Sequence, residues 1–104
     1  MNQYEPQELK NKLLSQEDIV ILDVRESEEF AVANIGGHHI PLSHLPDSLE
    51  QLDRSKEIVV ICHHGIRSQQ AAMYLLARGF THVSNLVGGI DRWSLEVDSS
   101  VPRY

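Results

Sequence analysis

Short runs of consecutive apolar residues alternate along the chain with segments in which apolar residues recur every three or four positions. Residues 19–22 and 58–61 are two such continuous runs, and both are rich in β-branched side chains. Continuous apolar runs of this length are typical of strands that are covered on both faces of a parallel sheet. Two further strands are predicted at residues 39–40 and 82–86.

The segments with helical periodicity are separated by proline, glycine and capping residues. Pro6 suits the first turn of a helix, Ser27 is the expected cap of the second helix, and Gly79 ends the longest one. The predicted helices cover residues 6–14, 27–34, 45–52 and 68–78, and a last helix follows residues 88–89.

Alternation of strands and helices favours parallel strands joined by crossover helices. We therefore predict one α/β domain over residues 1–104, with a mainly parallel sheet of four or five strands in a three-layer α/β/α arrangement. Residues 98–104 are expected to be irregular and folded back on the surface.

Composition and charge narrow the classes of function. A net charge of −6 and scattered Lys and Arg residues argue against binding to nucleic acid or to an anionic membrane. No apolar run approaches the length of a membrane span, and the first residues are polar, so we expect a cytoplasmic monomer.

Cys62 is the only cysteine, which excludes an internal disulfide, a CxxC redox pair and a thiolate-rich zinc site. It follows the predicted strand 58–61 directly, at the end of the sheet where open α/β folds bind their ligands. Gly65 gives the following loop the conformational freedom for a tight turn. Backbone N–H groups of this loop and of the next helix, together with Arg67, favour an anionic thiolate or persulfide on Cys62.

Four ordered motifs resemble the rhodanese-like domain family. They are the loop 62–68 (CHHGIRS), residues 22–26 (LDVRE) followed by Glu29 and Phe30, residues 40–42 (IPL), and residues 86–90 (LVGGI) with Trp93. The stretch before the Ile-Pro motif departs from the pattern common in the family, since residues 33–38 read ANIGGH. We expect this departure to affect the surface near the site and not the chemistry.

The resemblance implies a sulfurtransferase of the rhodanese type. In this interpretation Cys62 accepts sulfur from a small donor such as thiosulfate and passes it from a persulfide to a thiophilic acceptor, either cyanide or a thiol of a small molecule or protein. No metal and no organic cofactor are implied. Asp23 and Arg25 are expected to brace the fold beside the loop.

The remaining loop residues, His63, His64, Gly65, Ile66 and Ser68, are expected to surround the transferred sulfur, and Arg67 to orient an anionic donor. His63 and His64 either line the site with their rings or contribute only their backbone N–H groups. We do not predict a metal site, because we expect adjacent histidine rings to point apart.

Two other functions are compatible with these residues. Phosphatases and arsenate reductases of the same fold also pair Cys with Arg, but their Cys-x5-Arg loop is one residue longer than the Cys-x4-Arg spacing from Cys62 to Arg67. Rhodanese-like domains without the cysteine serve as interaction modules. The presence of Cys62, Gly65 and Arg67 favours the enzyme.

Overall fold

A computed structural model describes residues 1–104 and contains five strands and four α-helices. The elements in chain order are β1 (Asn2–Tyr4), α1 (Pro6–Leu14), β2 (Ile19–Asp23), α2 (Ser27–Val32), β3 (His38–His39), β4 (Glu57–Ile61), α3 (Ile66–Ala77), β5 (Val83–Leu86) and α4 (Gly89–Glu96). Two short 3₁₀ helices, Leu42–Asp47 and Leu49–Gln51, lie between β3 and β4. None of the helices has both the length and the apolar character needed to cross a bilayer.

The five strands form one sheet in the order β1-β5-β4-β2-β3, and every neighbouring pair is parallel. The chain leaves β2 toward β3 on one side and leaves β4 toward β5 on the other side. The carboxyl ends of β2 and β4 therefore flank the point where the direction of winding reverses, which is where parallel α/β sheets bind ligands. The predicted three-layer α/β/α class is confirmed.

Alternation along β4 sends successive side chains into two separate cores. Ile58 and Val60 belong to the core under α3, whereas Val59 and Ile61 belong to the core under α1 and α4. All four residues are fully buried. Cys62 continues the alternation on the α3 side, so the strand itself directs the sulfur toward the start of α3.

The structure corrects the sequence prediction at the first strand and in the segment before β4. Strand β1 was not predicted, because it has three residues and buries only Tyr4; it adds to the edge of the sheet beside β5. The helix predicted over residues 45–52 is wrong, and two 3₁₀ helices occupy this region. The helical segment begins earlier than predicted, at Leu42, so Pro46 lies inside it; in an α-helix from Leu42 the ring of Pro46 would clash with the Leu42 carbonyl.

The boundaries of several predicted elements also shift. The cap of α2 is Glu26 and not Ser27, and the helix ends at Val32. The short third strand is His38–His39, one residue earlier than predicted. Helix α3 begins at Ile66, because Gly65 adopts a left-handed φ of 98° and serves as its cap.

Candidate active site

The sulfur of Cys62 lies at the junction of β4 and α3 and is almost completely buried, with 1% of the residue exposed. Its Sγ accepts hydrogen bonds from the backbone N–H of Gly65 at 3.1 Å and of Ser68 at 3.3 Å. The tight turn depends on Gly65, whose φ of 98° is unfavourable for residues with a side chain. The loop thus directs the donors at the start of α3 onto the sulfur, as the sequence predicted.

Further N–H groups of the same loop are available to an anion. The backbone amides of His63, His64, Ile66 and Arg67 donate no hydrogen bond within the protein. The side chain of Ile66 points to solvent at the start of α3, with 72% of the residue exposed. An additional negatively charged atom beyond Sγ would find several unpartnered donors, reinforced by the positive end of the helix dipole.

Ser68 links the sulfur to a buried amide. The thiol of Cys62 donates to Ser68 Oγ at 3.3 Å, and the Ser68 hydroxyl donates to Asn85 Oδ1 at 2.5 Å. The Asn85 side-chain nitrogen donates to the oxygens of Gln3 and Gln69, which fixes the orientation of the amide. Sequence reasoning missed Asn85, since it lies on β5 and belongs to none of the motifs.

The first turn of α4 supports the loop from outside. Ile90 N–H donates to the carbonyl of Cys62 at 2.9 Å, and Asp91 N–H donates to the carbonyl of His63 at 3.1 Å. Such a close approach requires glycine at position 89, where a β-carbon would lie 2.4 Å from the carbonyl oxygens of both Cys62 and His63. Gly89 therefore packs directly against the backbone of the loop at the candidate site.

Asp23 and Arg25 form a fully buried ion pair at 2.7 Å beside the loop. Arg25 also donates to the carbonyl of Ala33 at 2.6 Å and to the hydroxyl of Tyr104 at 2.8 Å. Burial by itself lowers the pKa of Arg25, but the hydrogen bonds to Asp23 and Tyr104 outweigh it and raise the pKa. The hydrogen-bond donors of the Arg25 guanidinium are therefore occupied by other groups of the folded chain.

Arg67 is held by a carboxylate that sequence reasoning did not connect with it. Its two terminal nitrogens donate to Glu29 at 2.6 and 2.9 Å in a bidentate ion pair. The hydrogen bonds from Arg67 hold the pKa of Glu29 at about 2, and the same bonds raise the pKa of Arg67. Both terminal nitrogens of Arg67 are therefore engaged by Glu29, and a role of Arg67 in orienting an anionic donor stays a prediction.

Tyr104, in the irregular tail, reaches the active-site loop. Its ring stacks on His63 with the centroids 4.0 Å apart, and its hydroxyl donates to Glu29 at 2.8 Å while accepting from Arg25. Burial raises the pKa of this phenol. The tail is irregular, as predicted, but it contacts the candidate site.

The adjacent histidines do not point apart, so the reason given against a metal site was wrong. The rings of His63 and His64 stack with centroids 3.8 Å apart, and possible ligand atoms of both and of Asp91 lie within 4.8 Å of one another. The carboxylate of Asp91 is already paired with Arg103 at 2.9 Å. Burial and the charge of His64 lower the pKa of His63, which favours its neutral form at neutral pH.

Comparison with known proteins identifies the family. The family model for the rhodanese-like domain matches residues 5–96. The chain belongs to the rhodanese-like domain family. The part of this rhodanese-like chain that matches the family begins after β1 and ends before Tyr104. It therefore includes neither β1 nor Tyr104.

Relatives named as sulfurtransferases share much of the sequence. The chain is 36% identical to thiosulfate sulfurtransferase GlpE of Coxiella burnetii over 83 residues, which cover 79% of this chain and 78% of that protein. It is 40% identical to the putative sulfurtransferase YtwF of Bacillus subtilis over 89 residues, covering 85% of each chain. The crystal structure of a rhodanese-like domain protein from Staphylococcus aureus has a TM-score of 0.86 and 31% identity, and the match covers 100% of this chain and 99% of that one.

Proposed function

We propose that the protein transfers sulfane sulfur through a persulfide on Cys62. In the first step the Cys62 thiolate attacks the outer sulfur of a donor such as thiosulfate. The sulfur–sulfur bond of the donor breaks, sulfite leaves with its electron pair, and the outer sulfur stays bound to Sγ. In the second step cyanide, or the thiolate of a small molecule or protein, attacks this outer sulfur and releases the Cys62 thiolate.

The hydrogen bonds from Gly65 and Ser68 to Sγ carry this proposal. Both donors belong to the start of α3, where backbone N–H groups lack intrahelical acceptors, so they stabilise negative charge on the sulfur. The unpartnered amides of the same loop are suited to the outer sulfur of a persulfide anion. A single extra atom matches the small size of this loop.

The solitary thiol also supports transfer to an external acceptor. Cys62 is the only cysteine, so no second thiol of this chain can displace the outer sulfur and close a disulfide. The acceptor is therefore a separate molecule, which agrees with a sulfur carrier that is loaded and unloaded in alternation.

Phosphatase activity is disfavoured by the state of Arg67. A phosphate ester presents several charged oxygens, and a guanidinium recognises them best with two free parallel donors. In this protein both terminal nitrogens of Arg67 bind Glu29. In addition, the Cys-x4-Arg spacing makes the loop from Cys62 to Arg67 one residue shorter than the Cys-x5-Arg loop of the phosphatases.

Thiocyanate formation from thiosulfate and cyanide tests the proposal. The wild-type protein should form thiocyanate, whereas Cys62→Ser should lose this activity completely because a hydroxyl forms no persulfide. Aryl phosphates serve as the counter-substrate and should not be hydrolysed. Thiocyanate formation by Cys62→Ser at the wild-type rate, or efficient phosphate release by the wild type, would contradict the proposal.

A further inference from the structure

The carboxylate of Glu29 accepts four hydrogen bonds. Its Oε1 accepts from Arg67 at 2.6 Å and from the backbone N–H of Glu26 at 3.1 Å. Its Oε2 accepts from Arg67 at 2.9 Å and from the Tyr104 hydroxyl at 2.8 Å. Four donors from three separate parts of the chain thus hold the carboxylate in place, and its side chain is only 21% exposed.

The ion pair compensates the guanidinium of Arg67, which belongs to the first turn of α3. Arg67 directly precedes Ser68, whose backbone N–H donates to Sγ at 3.3 Å. The hydrogen bond to Glu29 is the main cause of the raised pKa of Arg67, and the charge of Cys62 makes a smaller contribution. Since Glu29 remains ionised at neutral pH, Arg67 and Glu29 together present no net charge to an incoming donor. Glu29 occupies the fork formed by the two terminal nitrogens of Arg67, so a second anion meets only the remaining N–H groups of a cation whose charge is already compensated.

The other arginines around the loop are compensated in the same way. Arg25 binds Asp23 at 2.7 Å, and Arg103 binds Asp91 at 2.9 Å. His63 is kept neutral by burial. A dianion that approaches Cys62 therefore meets no uncompensated arginine among these residues. The net charge of −6 on the whole chain also repels it at long range.

We infer that Glu29 is a positioning residue that sets donor preference: by compensating Arg67, it disfavours dianionic thiosulfate and leaves the site suited to thiol persulfides. This inference rests on the proposed persulfide chemistry of Cys62. In the preferred reaction the Cys62 thiolate attacks the outer sulfur of a persulfide R–S–SH. The S–S bond of R–S–SH breaks, the thiolate R–S⁻ leaves with the electron pair, and Cys62–S–SH forms. This reaction releases a thiolate, so no sulfite dianion has to leave the site.

The test measures loading of Cys62 alone, without an acceptor. Reduced protein is mixed with thiosulfate or with cysteine persulfide, quenched at intervals and analysed by intact-mass spectrometry to give a second-order rate constant for each donor. Glu29→Gln should raise the rate constant for thiosulfate by about 10-fold or more, because a free guanidinium then forms charge-assisted hydrogen bonds with the dianion. The rate constant for cysteine persulfide should change by less than about 3-fold.

Glu28→Gln is the matched control. Glu28 lies one residue away on the same helix, is exposed, and carries the same charge. Its replacement changes the net charge equally but leaves the Arg67 pair intact, so the ratio of the two rate constants should stay at the wild-type value. An unchanged or lowered thiosulfate-to-persulfide ratio in Glu29→Gln would overturn the inference, as would an equal rise in Glu28→Gln.

Ionic strength provides a second test on the wild-type protein, which does not depend on the folding of a variant. Loading by thiosulfate should not slow with added salt, because no uncompensated cation attracts the dianion. A steep decrease with salt would overturn the inference. If cysteine persulfide loads Cys62 but the thiosulfate-to-persulfide ratio of rate constants is the same in Glu29→Gln as in the wild type, the inferred donor preference is wrong and the proposed function stands. If neither donor loads Cys62 in any of these proteins, the proposed function is wrong as well.

Discussion

Gly89 lies against the carbonyl oxygen of Cys62, so that a β-carbon at position 89 would stand 2.4 Å from that oxygen. The approach brings the first turn of α4 onto the active-site loop, where Ile90 N–H binds the same carbonyl at 2.9 Å. The backbone that presents the sulfur is therefore held from two sides, by α3 through Sγ and by α4 through the carbonyl group.

Replacing Gly89 with alanine should displace the loop and impair sulfur transfer. The added methyl group must push away the carbonyls of Cys62 and His63, and we expect kcat/KM to fall by about 10-fold or more. Gly36→Ala is the matched control, because Gly36 also has a positive φ of 83° but has open space around the β-carbon position. Both variants should lose about 1–2 kcal/mol of folding stability from the unfavourable φ, while only Gly89→Ala loses activity. Full activity of Gly89→Ala would contradict the described role of α4.

The sequence motifs included Gly88 and Gly89, but they did not predict the contact that Gly89 makes. Consecutive apolar residues in β2 and β4 predicted the two central strands, and the strand-to-helix turn after Cys62 predicted the thiol site. The contact between Gly89 and the Cys62 carbonyl depends on how α4 packs against a loop more than 20 positions earlier in the chain, and local patterns carry no information about such packing.

Ser68→Ala should reduce the reactivity of Cys62 without removing the site. The substitution keeps the Ser68 backbone N–H that binds Sγ but removes the hydroxyl 3.3 Å from the sulfur. This hydroxyl accepts from the thiol, and when the sulfur is ionised it can turn from Asn85 and donate its proton to the thiolate. A hydrogen bond contributes about 1 kcal/mol, so alkylation of Cys62 by iodoacetamide at pH 7 should slow by about 5-fold. An unchanged rate of alkylation would mean that the Ser68 hydroxyl acts only as a hydrogen-bond donor to Asn85.

The Glu29–Arg67 pair should make folding stability depend on pH in a defined direction. The pKa of Glu29 is about 2 in the folded protein and 4.5 is its ordinary value, so the folded state favours the ionised form. Its contribution is present in full above pH 4.5 and is lost as the pH falls toward 2. After allowance for solvent screening it amounts to about 1–2 kcal/mol.

Urea denaturation of wild type and Glu29→Gln at pH 7 and at pH 2.5 measures this contribution. The variant should be less stable than the wild type at pH 7, and the difference should shrink at pH 2.5. Glu28→Gln gives the baseline for loss of an exposed carboxylate on the same helix. A difference between wild type and Glu29→Gln that is the same at both pH values would contradict the assignment.

Tyr104→Ala should raise the pKa of His63. Burial is the main cause of the lowered pKa, and the tyrosine ring stacks on the imidazole at 4.0 Å. Tyr104→Phe keeps the stacked ring and should leave the pKa of His63 close to the wild-type value. NMR titration of the His63 ring protons distinguishes the two variants, and equal pKa values in wild type and Tyr104→Ala would show that the tail does not shield the loop.

Besides Asn85, sequence reasoning missed the roles of Glu29 and Tyr104, and both omissions have the same physical cause. Glu29 is 38 positions from Arg67, and Tyr104 is 75 positions from Glu29. Glu29 was noticed only as part of a motif, and Tyr104 lies in a tail without hydrophobic periodicity. Both become functional candidates only because the parallel sheet brings the ends of β2 and β4 together at one edge, with the tail folded over them.

Intact-mass spectrometry tests the central claim most directly. Incubation of the reduced protein with a sulfane sulfur donor should add about 32 Da, one sulfur atom, and subsequent cyanide should remove it, because the transferred atom is held as a persulfide. Peptide mapping should locate the addition on Cys62, and Cys62→Ser should show none. A persistent absence of the adduct with both thiosulfate and cysteine persulfide, or an adduct of the same mass in Cys62→Ser, would contradict the account.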